Sequence, residues 1–132
     1  MKQIENRADV YKLVSEFYTV IRANPVLGPI FNHHILDDQW PAHIDKLTDF
    51  WVTNLFGEIC FKGNPSQAHL KVDNHLNHNM EQHHFEIWLN LWFETIDNWF
   101  DGALAQRAKD AATRMATGQY LFVLKSRQQI NT

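Results

Sequence analysis

The chain has 132 residues, of which 45% are hydrophobic, and 12 Lys and Arg against 15 Asp and Glu give a formal net charge of −3. That length fits one domain, spanning 1–132, with enough apolar residues for a core, and the lack of any basic cluster argues against a nucleic-acid partner. The single cysteine, Cys60, excludes an internal disulfide framework and a four-cysteine zinc site, which suits a reduced, cytoplasmic setting.

The opening Met1–Lys2–Gln3–Ile4–Glu5–Asn6–Arg7 lacks the apolar run of a signal peptide, and no stretch reaches transmembrane length, so no membrane partner is expected. A first helix is expected from about Asn6 to Arg22, because Val10, Leu13, Val14, Phe17 and Ile21 recur on one face, with Tyr18 at its margin. Ala23–Asn24–Pro25 stops it, since proline disfavours helical geometry in the residue before it. Val26–Leu27–Gly28–Pro29–Ile30–Phe31 reads as a compact apolar turn with at most a short helical piece, and His33 and His34 as loop residues. Asp37 or Asp38 is expected to cap a second long helix, with Pro41 in its first turn, where a missing N–H costs least. Its stripe is Trp40, Ile44, Leu47, Trp51 and Leu55, it carries His43, and it ends near Gly57.

A short helix follows, with Asn64 as cap, Pro65 at the first position and His69 near its end. The segment from Val72 to Asn79 is polar and irregular. Asn79 with Gln82 resembles a capping pair opening a third long helix, whose inner stripe is Phe85, Trp88, Leu89, Trp92, Ile96 and Trp99. After Asp101–Gly102 a fourth long helix turns Leu104, Ala108, Ala111, Met115 and Phe122 inward and Arg107, Lys109, Asp110 and Arg114 mostly outward. The tail after Ser126 is polar and expected to fray. No period-two strand stands out, so the fold class is all-α. Periodicity alone leaves both an ordinary four-helix bundle and a globin-like arrangement open.

Eight histidines make chemistry a matter of imidazole. His43 and His69 fall on two helices separated by chain breaks, and two facing helices that each offer one imidazole can hold a flat cofactor whose metal takes one of them. An aromatic content of 13% supplies the walls such a group needs. The reading is a haem pocket, with no covalent attachment because no Cys–x–x–Cys–His occurs. His75, His78, His83 and His84 invite a zinc site, but their spacing matches no familiar helical ligand pair.

The motifs together resemble the truncated haemoglobins, most closely the third group of these bacterial two-over-two globins. Phe17–Tyr18 followed by Leu27–Gly28–Pro29–Ile30–Phe31–Asn32 is similar to that group's distal tyrosine and haem-wedging phenylalanine. Trp40–Pro41–Ala42–His43 through Phe50–Trp51 is similar to the distal helix, with His43 at the distal histidine position. Ala68–His69–Leu70 matches the proximal motif, and His84–Phe85–Glu86–Ile87–Trp88–Leu89 the segment bearing the distal tryptophan. The paired glycines of the other truncated groups are missing, and the loop 72–78 lacks the family's prolines.

The resemblance implies a two-over-two helical sandwich around haem b, with His69 as the axial iron ligand. It also implies Tyr18, His43 and Trp88 on the gas-binding side, and Phe31 and Phe50 as apolar walls. Lys46, one turn after His43, is placed to meet a haem propionate. Tyr18 and Trp88 can donate hydrogen bonds without ionising, and bound dioxygen, which carries partial negative charge, accepts them better than carbon monoxide does. The function expected is reversible binding of dioxygen, carbon monoxide or nitric oxide. An alternative is a haem peroxidase or a globin that oxidises nitric oxide, the latter needing a separate reductase because the chain has no flavin or nicotinamide fingerprint. A haem-free helical protein with a histidine-rich metal surface is the remote third reading.

Overall fold

The computed structural model describes residues 2–58 and 82–130, with side chains through residue 118. Five helices lie in these residues. Helix α1 spans Arg7–Ala23, and its cap is the expected Asn6, whose side chain accepts from the Asp9 N–H at 3.0 Å. Asp9 reciprocates one residue upstream, accepting from the Glu5 N–H at 2.9 Å. Val10, Leu13, Val14, Phe17 and Ile21 are all buried, as the stripe required.

Where a compact turn was expected, the chain forms a second helix, α2, over Leu27–His34. The reason is Asn24, whose Oδ1 accepts from both the Val26 and Leu27 N–H groups at 2.9 Å. It thereby ends one helix and launches the next. His33 and His34 therefore occupy the last turn of α2, not a loop. Gly28 is needed here, because a Cβ at that position would lie 2.4 Å from the Arg22 carbonyl oxygen.

Helix α3 spans Trp40–Phe56, with Pro41 in its first turn. Neither Asp37 nor Asp38 caps it. Both sit in a 3-10 turn, Asp37–Gln39, that leads directly into the helix. That turn already satisfies the free N–H groups: Gln39 donates to the Leu36 carbonyl at 2.9 Å, and Trp40 donates to Asp37. Gly57 closes α3 in the left-handed region, at φ 73°. The expected short helix with Asn64, Pro65 and His69, together with Cys60, His75, His78 and Asn79, lies outside the described residues.

Helix α4 spans Gln82–Trp99 and α5 Ala103–Ile130. Helix α5 runs through Ser126 to Ile130, past the point where the polar tail was expected to begin. Phe85, Trp92 and Ile96 are buried, but Trp99, expected on the same stripe, is 40% exposed. It is the last residue of α4, and Phe100 takes the core position instead, at 3% exposure. The Lys12 ammonium lies over Trp99, 3.9 Å from its ring centroid. Phe100 begins a feature the sequence did not announce: Phe100–Asp101 (β2) pairs in parallel with Lys2–Gln3 (β1).

Helix α1 packs on α3 and α4, and α4 on α5, which makes two stacked pairs, α1 with α3 and α4 with α5. Trp92 joins all four. Its ring lies 4.7 Å from Trp51, nearly parallel, and 4.9 Å from Phe17, edge to face, while its Nε1 donates to the Ala108 carbonyl at 3.2 Å. Each such ring pair adds about 0.5–1.5 kcal/mol beyond the area it buries. Ala105, Ala108, Ala111, Ala112 and Ala116 are all buried on α5, and their small side chains allow α4 to approach closely. Among the described residues no helix is long and apolar enough to cross a membrane.

Candidate functional site

At the margin of the apolar face of α1, one turn after Val14, Tyr18 points a phenol into the protein at 9% exposure. Three other elements bring rings to it. Phe31 arrives from α2 at 6.2 Å between centroids, Trp40 from the start of α3 at 5.7 Å, and His43 one turn later at 5.9 Å, nearly perpendicular. Trp40 and His43 also meet edge to face at 5.4 Å. From α4, the half-buried Trp88 hydrogen-bonds the Tyr18 side chain and stands 5.6 Å from Phe17. An indole has only a donor to offer, so its N–H gives to the phenol oxygen.

The electrostatics keep these groups neutral. Burial pushes the Tyr18 hydroxyl up to about 12, and the Trp88 hydrogen bond offsets only part of that rise. Burial also holds the His43 imidazole below the ordinary histidine value, with the charges of Lys46 and His34 acting in the same direction. At neutral pH the cluster therefore presents a phenol O–H and an imidazole with one donor and one acceptor nitrogen. One polar atom in it is unpartnered: the Nε1–H of Trp40, a residue only 4% exposed, donates to nothing among the described residues.

Of the residues singled out from the sequence, Tyr18, Phe31, His43 and Trp88 meet in this one cluster. Phe50 is half-buried against Trp51, and Lys46 is exposed but close enough to act on His43. His69 falls outside the described residues. His83 and His84 lie side by side on α4, with rings 4.1 Å apart, and no cluster of three metal-ligating side chains occurs among the described residues. An open depression along α5, between Leu104, Arg107, Asp110 and Arg114, contains none of the ring cluster.

Sequence reasoning missed two members. Trp40 reads in the sequence as part of the apolar stripe and of the motif similar to the distal helix, but its position gives no sign that its N–H lacks a partner. Arg22 sat unremarked in the last turn of α1, yet its guanidinium carbon lies 4.7 Å from the centre of the Trp40 ring.

No protein-family model matches the chain. It is 32% identical over 123 residues to the group 3 truncated hemoglobin ctb of Campylobacter jejuni, covering 89% of this chain and 93% of that protein. The crystal structure of the group III truncated hemoglobin from Campylobacter jejuni superposes with a TM-score of 0.82 at 30% identity, over 93% of this chain and 95% of the other. The two helix pairs therefore have the truncated-globin arrangement, not that of an ordinary bundle. Similarity of this depth, across nearly the whole of both sequences and in the same fold, assigns the family: the chain belongs to the group III truncated haemoglobins.

Proposed function

We propose that the chain is a haem b protein that reversibly binds dioxygen, and also carbon monoxide and nitric oxide, at ferrous iron. The observation that carries this reading is the convergence of Tyr18, His43 and Trp88 from three helices, all neutral and all able to donate. The residues present fit a haem with a gas on this side. Phe31, Phe50 and Trp40 give apolar walls, and the buried Trp40 N–H is a further donor in search of an acceptor. When bound, haem supplies a metal centre that takes up the gas. His69 would be the residue that holds its iron, and the exposed Lys46 would meet a propionate.

The chain's own residues then decide which gas is retained. Trp88 donates to the phenol oxygen, which leaves the Tyr18 O–H as the group free to give to a partially negative ligand. His43 stands beside it with a second N–H. A donor aimed at bound dioxygen contributes about 1.5–3 kcal/mol, and less for the less polar carbon monoxide.

The test is a visible spectrum. The protein should purify red or take up about one hemin per chain, with a Soret band that shifts on reduction and again under carbon monoxide. His69→Ala should abolish or loosen haem binding, partly restored by imidazole, while His43→Ala keeps the haem. A colourless protein that refuses hemin ends this reading, and equal haem loss from both substitutions overturns the assignment of sides.

A further inference from the structure

We infer that Arg22 is a positioning residue for the gas-binding side. Its side chain locks the corner where α1, α2 and α3 meet, so that Trp40 holds His43 against Tyr18. The inference rests on the pocket proposed above. Four contacts carry it. Arg22 Nε donates to Asn32 Oδ1 on α2 at 2.8 Å, and the Asn32 amide donates back to the Arg22 carbonyl at 3.1 Å. Arg22 Nη2 donates to Asp37 Oδ1 in the 3-10 turn at 2.8 Å. The guanidinium plane then covers Trp40, the first residue of α3, at 4.7 Å.

Trp40 passes this constraint on through its ring contacts with His43 at 5.4 Å and Tyr18 at 5.7 Å. The corner has little slack, because Gly28 of α2 lies so close to the Arg22 carbonyl that no Cβ fits. Thermodynamic stability is a poor explanation for the arrangement. The Asp37 side chain is 94% exposed, and an ion pair so open to water contributes little. What the fork supplies is geometry: only a planar guanidinium can bond two acceptors in its plane while its face covers an indole.

The experiment compares the wild-type protein with Arg22→Lys, Arg22→Met and Asp37→Asn. Two readings are taken: the carbon monoxide association rate, and the His43 imidazole titration followed by NMR in the carbon monoxide form. In a chain that takes up no haem, the pocket reading fails, and the His43 titration of the chain as purified still judges Arg22. The titratable groups that face His43 are Tyr18 from α1, His34 from α2 and Lys46 from its own helix; Arg22→Lys keeps the positive charge, so a change in titration in that variant reports movement.

We expect Arg22→Lys and Arg22→Met alike to raise the His43 pKa toward the ordinary value, as water reaches the ring. Carbon monoxide association should quicken about ten-fold, with smaller changes of the same sign in Asp37→Asn, which removes one exposed arm and leaves the fold intact. If Arg22→Lys behaves as wild type, charge and not the fork is what matters, and the inference fails. It fails equally if the variants lower the thermal midpoint while the titration and the association rate stay put.

Discussion

Replacing Tyr18 by Phe deletes one oxygen atom and almost no volume, which makes it the sharpest probe of the proposed pocket. The phenol is buried and its hydroxyl is pushed up to about 12, so it remains a donor at every pH at which the protein would be assayed. A hydrogen bond to a partially charged ligand is worth about 1.5–3 kcal/mol, and about 1.4 kcal/mol is a factor of ten, so oxygen release should quicken about ten- to a hundred-fold. The structure favours the lower end of that range. In Tyr18→Phe the Trp88 N–H loses its acceptor on the phenol and becomes free to give to the ligand itself, recovering part of the loss. Trp88→Phe should also speed oxygen release, partly through the void it leaves, and the double mutant should be non-additive because both donors serve one network. Stopped-flow displacement of oxygen and of carbon monoxide from the four proteins measures this, with carbon monoxide release barely changed. Equal acceleration of both gases in Tyr18→Phe would mean that the phenol is a steric gate, and the hydrogen-bond reasoning would be refuted.

Gly28→Ala should destabilise the protein by about 1–3 kcal/mol, the usual range for overpacking, because its Cβ would meet the Arg22 backbone oxygen at 2.4 Å; urea unfolding checks it, and an unchanged midpoint would show that α2 shifts freely. The His43 imidazole should titrate below the ordinary histidine value in an NMR pH series. Since the unfolded chain then takes up the proton first, stability contributed by neutral His43 is present above about pH 6.5 and is lost as pH falls, a slope that His43→Leu should flatten. For Asp9, burial raises the carboxyl pKa, but the Lys2 ammonium and backbone N–H groups outweigh it and leave it lowered. Its stabilisation should therefore hold above the ordinary aspartate range and fade as pH drops through the lowered value, and Asp9→Asn should remove that acid sensitivity from thermal unfolding curves.

Helical stripes were legible because a period of 3.6 residues places Val10, Leu13, Val14, Phe17 and Ile21 on one line whatever the helix packs against. The same rule misjudged Trp99, because the stripe carries on to the last residue of α4 while the partner surface does not, and Phe100 turns into a strand and fills the gap. Strands of two residues are too short to display any alternation, so β1 and β2 could not be read. Helix α2 is longer than the sequence suggests for a local reason: the Asn24 side chain starts it from outside, where the apolar run Val26–Phe31 suggests a turn with at most a short helical piece. The motifs carried the family resemblance in order along the chain, since types and spacings of residues are properties of a sequence. What brings Tyr18, Trp40, His43 and Trp88 to one place is the stacking of α1, α3 and α4. The Trp88 hydrogen bond to Tyr18 joins residues 70 positions apart, and the Arg22 fork joins three elements through contacts of 10 to 18 positions. No local pattern encodes such pairings, because each depends on where whole helices lie once their apolar faces are buried against one another.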